Sequence, residues 1–464
     1  MNVSNWQISV FIGIWAIFGG PTRAQDPPWK AGIARAKITP NGPIWMAGYA
    51  ARTAPSQGVL QDLWAKALVL EDPAGKRVAL ITLDLCGISK PFSDEIRNDL
   101  AKRCGLDRGQ VALACSHTHS APVTRDNLIT MYKLDDEQAR LIAEYSKSLQ
   151  STILDIAGKA ITDLQPSLLS WGTGRADFAV NRRENKEGDV PKLRQSLSLK
   201  GPNDFDVPVL VIRSADDSTL RGIVCGYACH CTTLSGQELS NDYAGFALSD
   251  LESRHPGVTA MFVAGCGADQ NPIPRRETVL AREYGASLAA SVTRALEGPL
   301  RRISGRLSAN YLELDLKFDR LPTREEWQRE AESPTIMVSQ RAKAFLARLD
   351  SGDPTPASYP YPVQAWRLGD DLTWILLGGE VVVDYSLRLK RNLGPSNLWV
   401  SAYCNDVMAY IPSERVLAEG GYEGDTSMVP YGQPSKWAPG LEDQIIGAVR
   451  SLVSAPGTQP RGAR

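Results

Sequence analysis

The chain has 464 residues, 43% hydrophobic and 22% charged, with 51 Lys and Arg against 52 Asp and Glu. That composition fits a globular protein with ample material for a large core. A formal net charge of −1 argues against the basic face that a nucleic-acid binder needs, and no basic run marks a membrane-surface patch.

The first segment, ISVFIGIWAIFGG followed by PTRAQ, is an apolar run closed by small residues at Thr22 and Ala24. It is short for a transmembrane helix. It reads as a cleavable signal peptide over residues 1–24, cut after Ala24, although no Lys or Arg precedes Ile8. The mature protein is then expected to be secreted or periplasmic. Residues 25–455 read as one undivided catalytic domain, and residues 456–464, rich in Gly, Pro and Arg, as a disordered tail.

Residues 25–60 read as irregular opening chain, rich in Pro and Gly. WAKALVLED and RVALITLDL flank the turn PAGK and predict a β-hairpin. FSDEIRNDLAKRCG predicts a helix ending near Gly105, QVALACS a strand, and residues 135–163 a long helix. PVLVIRS and GIVCGYAC form a second hairpin, and VTAMFVAG a strand. A helix over residues 276–297 and the strand RLSANYLELDLKF follow. Thr323 and Glu326 have the spacing of a capping box at a helix start. PTPASYPYP reads as a Pro-rich loop, LTWILL and LWVSAYC as late strands, and GLEDQIIGAVRSLVS as a closing helix. The fold class is α/β or α+β, with mixed sheets flanked by helices.

The polar residues of interest fall just after strands. QVALACS leads into His117, GIVCGYAC into His230, VTAMFVAG into Cys266–Asp269 and LTWILL into Glu380, while LWVSAYC runs towards Tyr410. Sites in such folds gather at the carboxyl ends of strands, so one convergent site is expected there.

The chain has four histidines, and two of them, His117 and His119, lie in ACSHTHSAP. If the strand continues through SHTHS, both point to one face, with backbones roughly 6.5 Å apart. Both rings could then reach one metal, or one could ligate while the other faces substrate. The plain alternative is a polar turn whose histidines only hydrogen-bond. His230, in GYACHCTTL, has Cys229 and Cys231 pointing away from it along a strand, which disfavours a mixed Cys/His site. His255 precedes its strand and falls at the wrong end for the cluster. The eight cysteines show no regular framework. Cys115, Cys266 and Ser116 are candidate nucleophiles, but no G-x-S-x-G elbow is present.

Together the motifs SHTHSAP, GYACHCTT, GADQNPIPR, GGEVVVDY and AYIPSERVLAEGGYEGDTS, in that order, resemble the neutral/alkaline ceramidase family. These are zinc-dependent amidases that cleave the N-acyl bond of ceramide. The likeness runs from about Ile33 to the final helix. It implies Zn2+ as cofactor, with His117, His230, Glu380 and Tyr410 as ligands. Tyr410 and Tyr422 lie twelve apart, as that family's two active-site tyrosines do. FAVNRRENK, similar to the family's Asn-Arg-Ser stretch, carries Arg182 over as a substrate-contacting arginine.

The implied reaction is hydrolysis of an amide by a zinc-activated water. Arg182 and Tyr422 face the developing oxyanion, and His119, beside the metal, shuttles a proton to the leaving amine. Asp269 would orient a ligand or a backbone turn. The implied partners are a small lipid-like N-acyl substrate and a transient membrane-surface contact, with no nucleic acid. Several features depart from the family. SAP replaces SGP, GCGADQNP lacks a serine found in animal enzymes, and QGVLQDLWAKA lacks the family's Gly-Ile-His and Arg. The family's C-terminal immunoglobulin-like domain is not expected within these residues. Two other readings stay open: a metal-independent acyl hydrolase built on Cys266 with His119 or His230, and a non-catalytic binding domain on the same fold.

Overall fold

Period-two alternation along the strands builds two stacked sheets. The computed structural model describes residues 29–455 and Met1; beyond Met1, the expected signal peptide lies outside the described residues, as does the expected tail. In the larger sheet the strands run Thr259–Ala264, Leu220–Tyr227, Asp206–Ser214, Gln165–Arg175, Lys30–Lys37, Trp64–Glu71, Arg77–Leu83 and Val111–Cys115. Arg301–Arg302 adds a short pairing on Gln165–Arg175. The two outermost pairs are parallel and those between are antiparallel. A four-stranded sheet follows the order Leu307–Lys317, Ser358–Leu368, Leu372–Leu377 and Leu398–Ser401, antiparallel except for its last, parallel pair.

The sheets pack face to face. Leu68, Leu70, Leu80, Leu210 and Val263 of the larger sheet share a buried cluster with Trp366, Trp374 and Trp399 of the smaller. Trp374 and Trp399 stack with centroids 4.1 Å apart, an aromatic pair that adds about 0.5–1.5 kcal/mol beyond its buried area. The alternate residues face outward onto helices. Val69, Ile81, Val211 and Ile223 bury with Ile153, Leu251 and Leu288, and Ala365 and Ile375 with Ile445 and Val449. The result is four layers: helices, sheet, sheet, helices. Among the described residues, no helix is long and apolar enough to cross a membrane.

Local signals set the helix ends. Thr323 and Glu326 form the reciprocal capping box, Asp135 accepts from Gln138 N at the start of Asp136–Thr162, and Gly105 at φ 65 closes Lys90–Cys104. Two expectations need correction. The opening chain is not wholly irregular, since Lys30–Lys37 pairs along its full length with Trp64–Glu71. The Pro-rich loop is largely strand: Ser358–Leu368 runs through Pro360 and Pro362. Both prolines pair only with Leu307–Lys317, because the pairing with Leu372–Leu377 begins at Val363. They occupy a one-sided stretch where no N–H has to be donated to a second neighbour.

Three buried carboxyls give stability a distinct pH profile. Burial pushes Asp406 up to about 8, Asp84 up to about 7 and Asp269 up to about 6. Each binds its proton more tightly folded than unfolded, where Asp titrates near ~3.9. Their contribution is full below that value and is lost as pH rises through the folded values, Asp406 last. Tyr359 donates to Asp406 Oδ2 at 2.7 Å, while Oδ1 has no partner. Urea unfolding is expected to show Asp406→Asn matching wild type at pH 4 and exceeding it at pH 8.

Candidate active site

The strand Val111–Cys115 stops before the histidines. His117 takes φ 61, a left-handed conformation that costs a branched or bulky residue of order 1–3 kcal/mol. Ser116 N donates to Leu83 O and His117 N to Leu85 O, each at 2.9 Å, which hold the turn. The expectation that SHTHS extends the strand is corrected here. The turn itself brings the His117 and His119 rings to 4.8 Å. Thr118 then bridges in parallel with Cys231, which sets the loop carrying His230 alongside. Glu380 and Tyr410 arrive together, as register partners in the parallel ribbon of Glu380–Val381 and Tyr410–Ile411.

The donor atoms of His117, His230 and Glu380 lie within 4.8 Å of one another. The three residues are 1%, 2% and 3% exposed. His117 Nδ1 lies 2.7 Å from Cys86 O, and His230 Nδ1 2.8 Å from Gly267 O. A carbonyl only accepts, so each Nδ1 is the donor, and a neutral ring turns its Nε2 lone pair inward. Both Nε2 atoms lie 3.1 Å from Glu380 Oε2, an oxygen that receives no aligned hydrogen bond. With both rings neutral, three electron-rich atoms held this close repel one another unless a positive charge sits between them. Tetrahedral donors at ~2.0–2.2 Å from a cation are themselves about 3.3–3.6 Å apart, so the set, with small adjustments, fits a divalent ion.

Burial disfavours charge on His117 and Glu380 alike, yet each stabilises the other's ionised form. Glu380 raises His117 well above its ordinary value, and His117 with His230 hold Glu380 well below the carboxylate range. Burial lowers His230 to about 4, with the charges of Arg182 and His117 acting the same way. Tyr410 OH lies 3.3 Å from His230 Nε2 and accepts from Arg182 Nη2 at 3.1 Å. Burial and Glu380 push its phenol well up, against Arg182.

The other candidates surround this cluster. His119 Nε2 is 3.1 Å from His117 Nε2, as near as Glu380 Oε2 is, so distance alone does not set His119 apart from the donors. Its ring is half-buried, and its Nδ1 has no partner. Gly48, at φ +95, lies flat against that ring: a Cβ there would fall 2.3 Å from His119 Cγ. Arg182 donates to Glu423 Oε1 at 2.7 Å and Asn271 Oδ1 at 3.2 Å. Tyr422, 46% exposed, sets its ring 5.2 Å from that of Tyr410, with the Arg182 guanidinium 5.8 Å away.

Asp269 orients backbone rather than a donor side chain. Its carboxylate accepts from Val383 N and Asn181 Nδ2, and its carbonyl accepts from Arg182 N. Cys266 is fully buried, and burial pushes its thiol well up, which leaves it inert as a nucleophile. His255 caps the far end of the helix Asp242–Arg254, away from the cluster. Sequence reasoning passed over Tyr403 and Tyr431. Tyr403 stacks on His117 at 4.4 Å, and the Tyr431 hydroxyl donates to Glu380 Oε1. Neither sits in a pattern that marks it.

Fold and site thus define a mixed, layered α/β protein with a buried imidazole–carboxylate centre at its strand ends. Residues 29–271 match the family described as neutral/alkaline non-lysosomal ceramidase, N-terminal, and the chain belongs to that family. It is 23% identical to the neutral ceramidase of Pseudomonas aeruginosa, over 88% of this chain and 70% of that protein. It is 25% identical to that of Drosophila melanogaster, over 64% and 40%. The solved structure of the Pseudomonas aeruginosa neutral ceramidase superimposes with a TM-score of 0.68 at 20% identity, covering 94% of this chain and 77% of that one. A ceramidase complexed with C2 gives 0.68 at 19%, covering 94% and 78%. These superpositions show the shared fold.

Proposed function

We propose that the protein is an exported zinc-dependent amidohydrolase that cleaves the N-acyl amide bond of ceramide or a related N-acyl sphingolipid. The observation that carries this reading is the buried meeting of His117 Nε2 and His230 Nε2, each 3.1 Å from Glu380 Oε2. His117, His230, Glu380 and Tyr410 would hold the ion. When bound, zinc supplies Lewis acidity that polarises a carbonyl and lowers the pKa of water.

The remaining work falls to the chain. Arg182 and the half-exposed Tyr422 stand beside Tyr410 as donors for charge developing on the amide oxygen. Burial, with His117 and His230, holds His119 well below its ordinary value, so it enters the reaction neutral. Half-buried beside the cluster, it is the residue this reading assigns to carry a proton to the departing amine. A small lipid-like N-acyl substrate, met through a transient contact with a membrane surface, is the partner this reading implies. The apolar run within residues 1–24, read as a leader, supports export.

Fatty-acid release from ceramide by the purified protein tests the reading. Activity should be lost on chelation and return with zinc. Hydrolysis that survives in demonstrably metal-free protein overturns it. Stoichiometric zinc without turnover across a panel of N-acyl substrates points instead to a binding domain.

A further inference from the structure

We infer that Tyr431 is a positioning residue that fixes Glu380 as a one-oxygen ligand, and so keeps a place beside the metal open for water. This rests on the reading above, in which the cluster holds zinc.

The two oxygens of Glu380 have separate partners. Oε2 stands 3.1 Å from both His117 Nε2 and His230 Nε2, while Oε1 accepts the hydroxyl of Tyr431. An O–H donated to a carboxylate is among the stronger hydrogen bonds a side chain makes, and a planar carboxylate pinned at one oxygen cannot turn about its bond. Were Oε1 released, the group could swing to offer both oxygens. The second would then occupy the position that a catalytic zinc keeps for water or substrate.

The phenol itself is firmly delivered. Tyr431 lies in a turn closed by Gly432 N to Val429 O and Gln433 N to Met428 O, both 3.0 Å, with Gly432 at φ +69. Gln433 Nε2 donates to Met408 O at 2.9 Å, and Thr130 Oγ1 to Pro430 O at 3.2 Å. The Met408 bond ties this turn to the segment that supplies Tyr410. Its ring lies 6.3 Å from that of Tyr410. One braced unit therefore aligns the carboxylate and stands against the phenol of the donor set, an arrangement typical of partners just outside a metal's ligands.

Tyr431→Phe keeps the ring and deletes the donor. Competition against a chromophoric chelator should show zinc affinity weakened about 10–100-fold. The visible bands of the cobalt-substituted protein should shift as coordination changes. On an N-acyl substrate, kcat should fall about tenfold with KM within about twofold. A fluorinated tyrosine at position 431 changes donor acidity without deleting the group, so it keeps the test alive if the Phe variant does not fold. Its cobalt spectrum should lie off the wild-type one. Wild-type zinc affinity and an unchanged cobalt spectrum in these variants overturn the inference and leave the proposed function standing. A wild-type protein that takes up no zinc removes both.

Discussion

Glu380→Gln is expected to abolish stoichiometric zinc binding and to lower kcat/KM on an N-acyl substrate by about 10³-fold or more, roughly 4 kcal/mol of transition-state stabilisation. The substitution is nearly isosteric and leaves an oxygen for Tyr431 to donate to, so packing should survive. What disappears is the negative charge facing His117 and His230 at 3.1 Å. An amide placed there presents either a weak neutral oxygen or an N–H, and neither replaces a carboxylate against a dication. Stability in chelator should fall as well. Against the cost of burial, His117 and His230 hold the Glu380 carboxylate well below the carboxylate range, so the fold favours its ionised form and a neutral amide loses that pairing. Its thermal midpoint in chelator should lie below that of wild type. Inductively coupled plasma analysis, steady-state kinetics and a thermal melt check the three parts. A variant that keeps both zinc and activity would remove Glu380 from the metal centre. His230→Ala should also lose the metal, but it leaves a cavity beside Gly267 and is the less clean test.

The elements that could be read from sequence are those with a clear period and clear punctuation. WAKALVLED and RVALITLDL alternate and flank a turn, and they pair as Trp64–Glu71 with Arg77–Leu83. Strand ends likewise pointed to one convergent place. Where local pattern was weak, the reading failed. SYPYP looked like loop because proline normally interrupts a ladder, and only the one-sided neighbourhood of Pro360 and Pro362 makes a strand possible. The helices Asp242–Arg254 and Val383–Leu393 follow directly on loops of the site and drew no expectation of their own.

The same divide runs through the centre. His117 and His119 announce themselves by residue type, yet the left-handed turn that joins their rings is a tertiary outcome, held by Leu83 and Leu85. Tyr410 came only through family resemblance, one of fourteen tyrosines with nothing local to mark it. Its pairing opposite Glu380 is a fact of the folded ribbon. Tyr431, in MVPYGQP, reads as an ordinary turn aromatic until the structure shows where its hydroxyl goes. Long-range register, not composition, carries that information.

Arg182→Met separates the metal from the substrate side of the site. The guanidinium spends its donors on three groups: Glu423 Oε1 at 2.7 Å, Asn271 Oδ1 at 3.2 Å and Tyr410 OH at 3.1 Å. Methionine keeps the hydrophobic stem and removes all of them. If Arg182 faces the developing oxyanion, kcat/KM should drop about 10²–10³-fold while zinc content stays at one per chain. That outcome contrasts with Glu380→Gln, where metal and activity fall together. A structural cost accompanies it, because Glu423 is only 5% exposed and is left with Arg183 at 2.7 Å as its remaining ion pair. Breaking one of two such pairs should lower stability by about 2–3 kcal/mol, less than the 3–5 expected when a buried ion loses its partner entirely. The double variant with Glu423→Gln discriminates the two effects. It removes the stranded charge and should restore most of the stability, but none of the rate. Recovery of rate together with stability would assign Arg182 to holding the loop around Tyr422 rather than to the substrate.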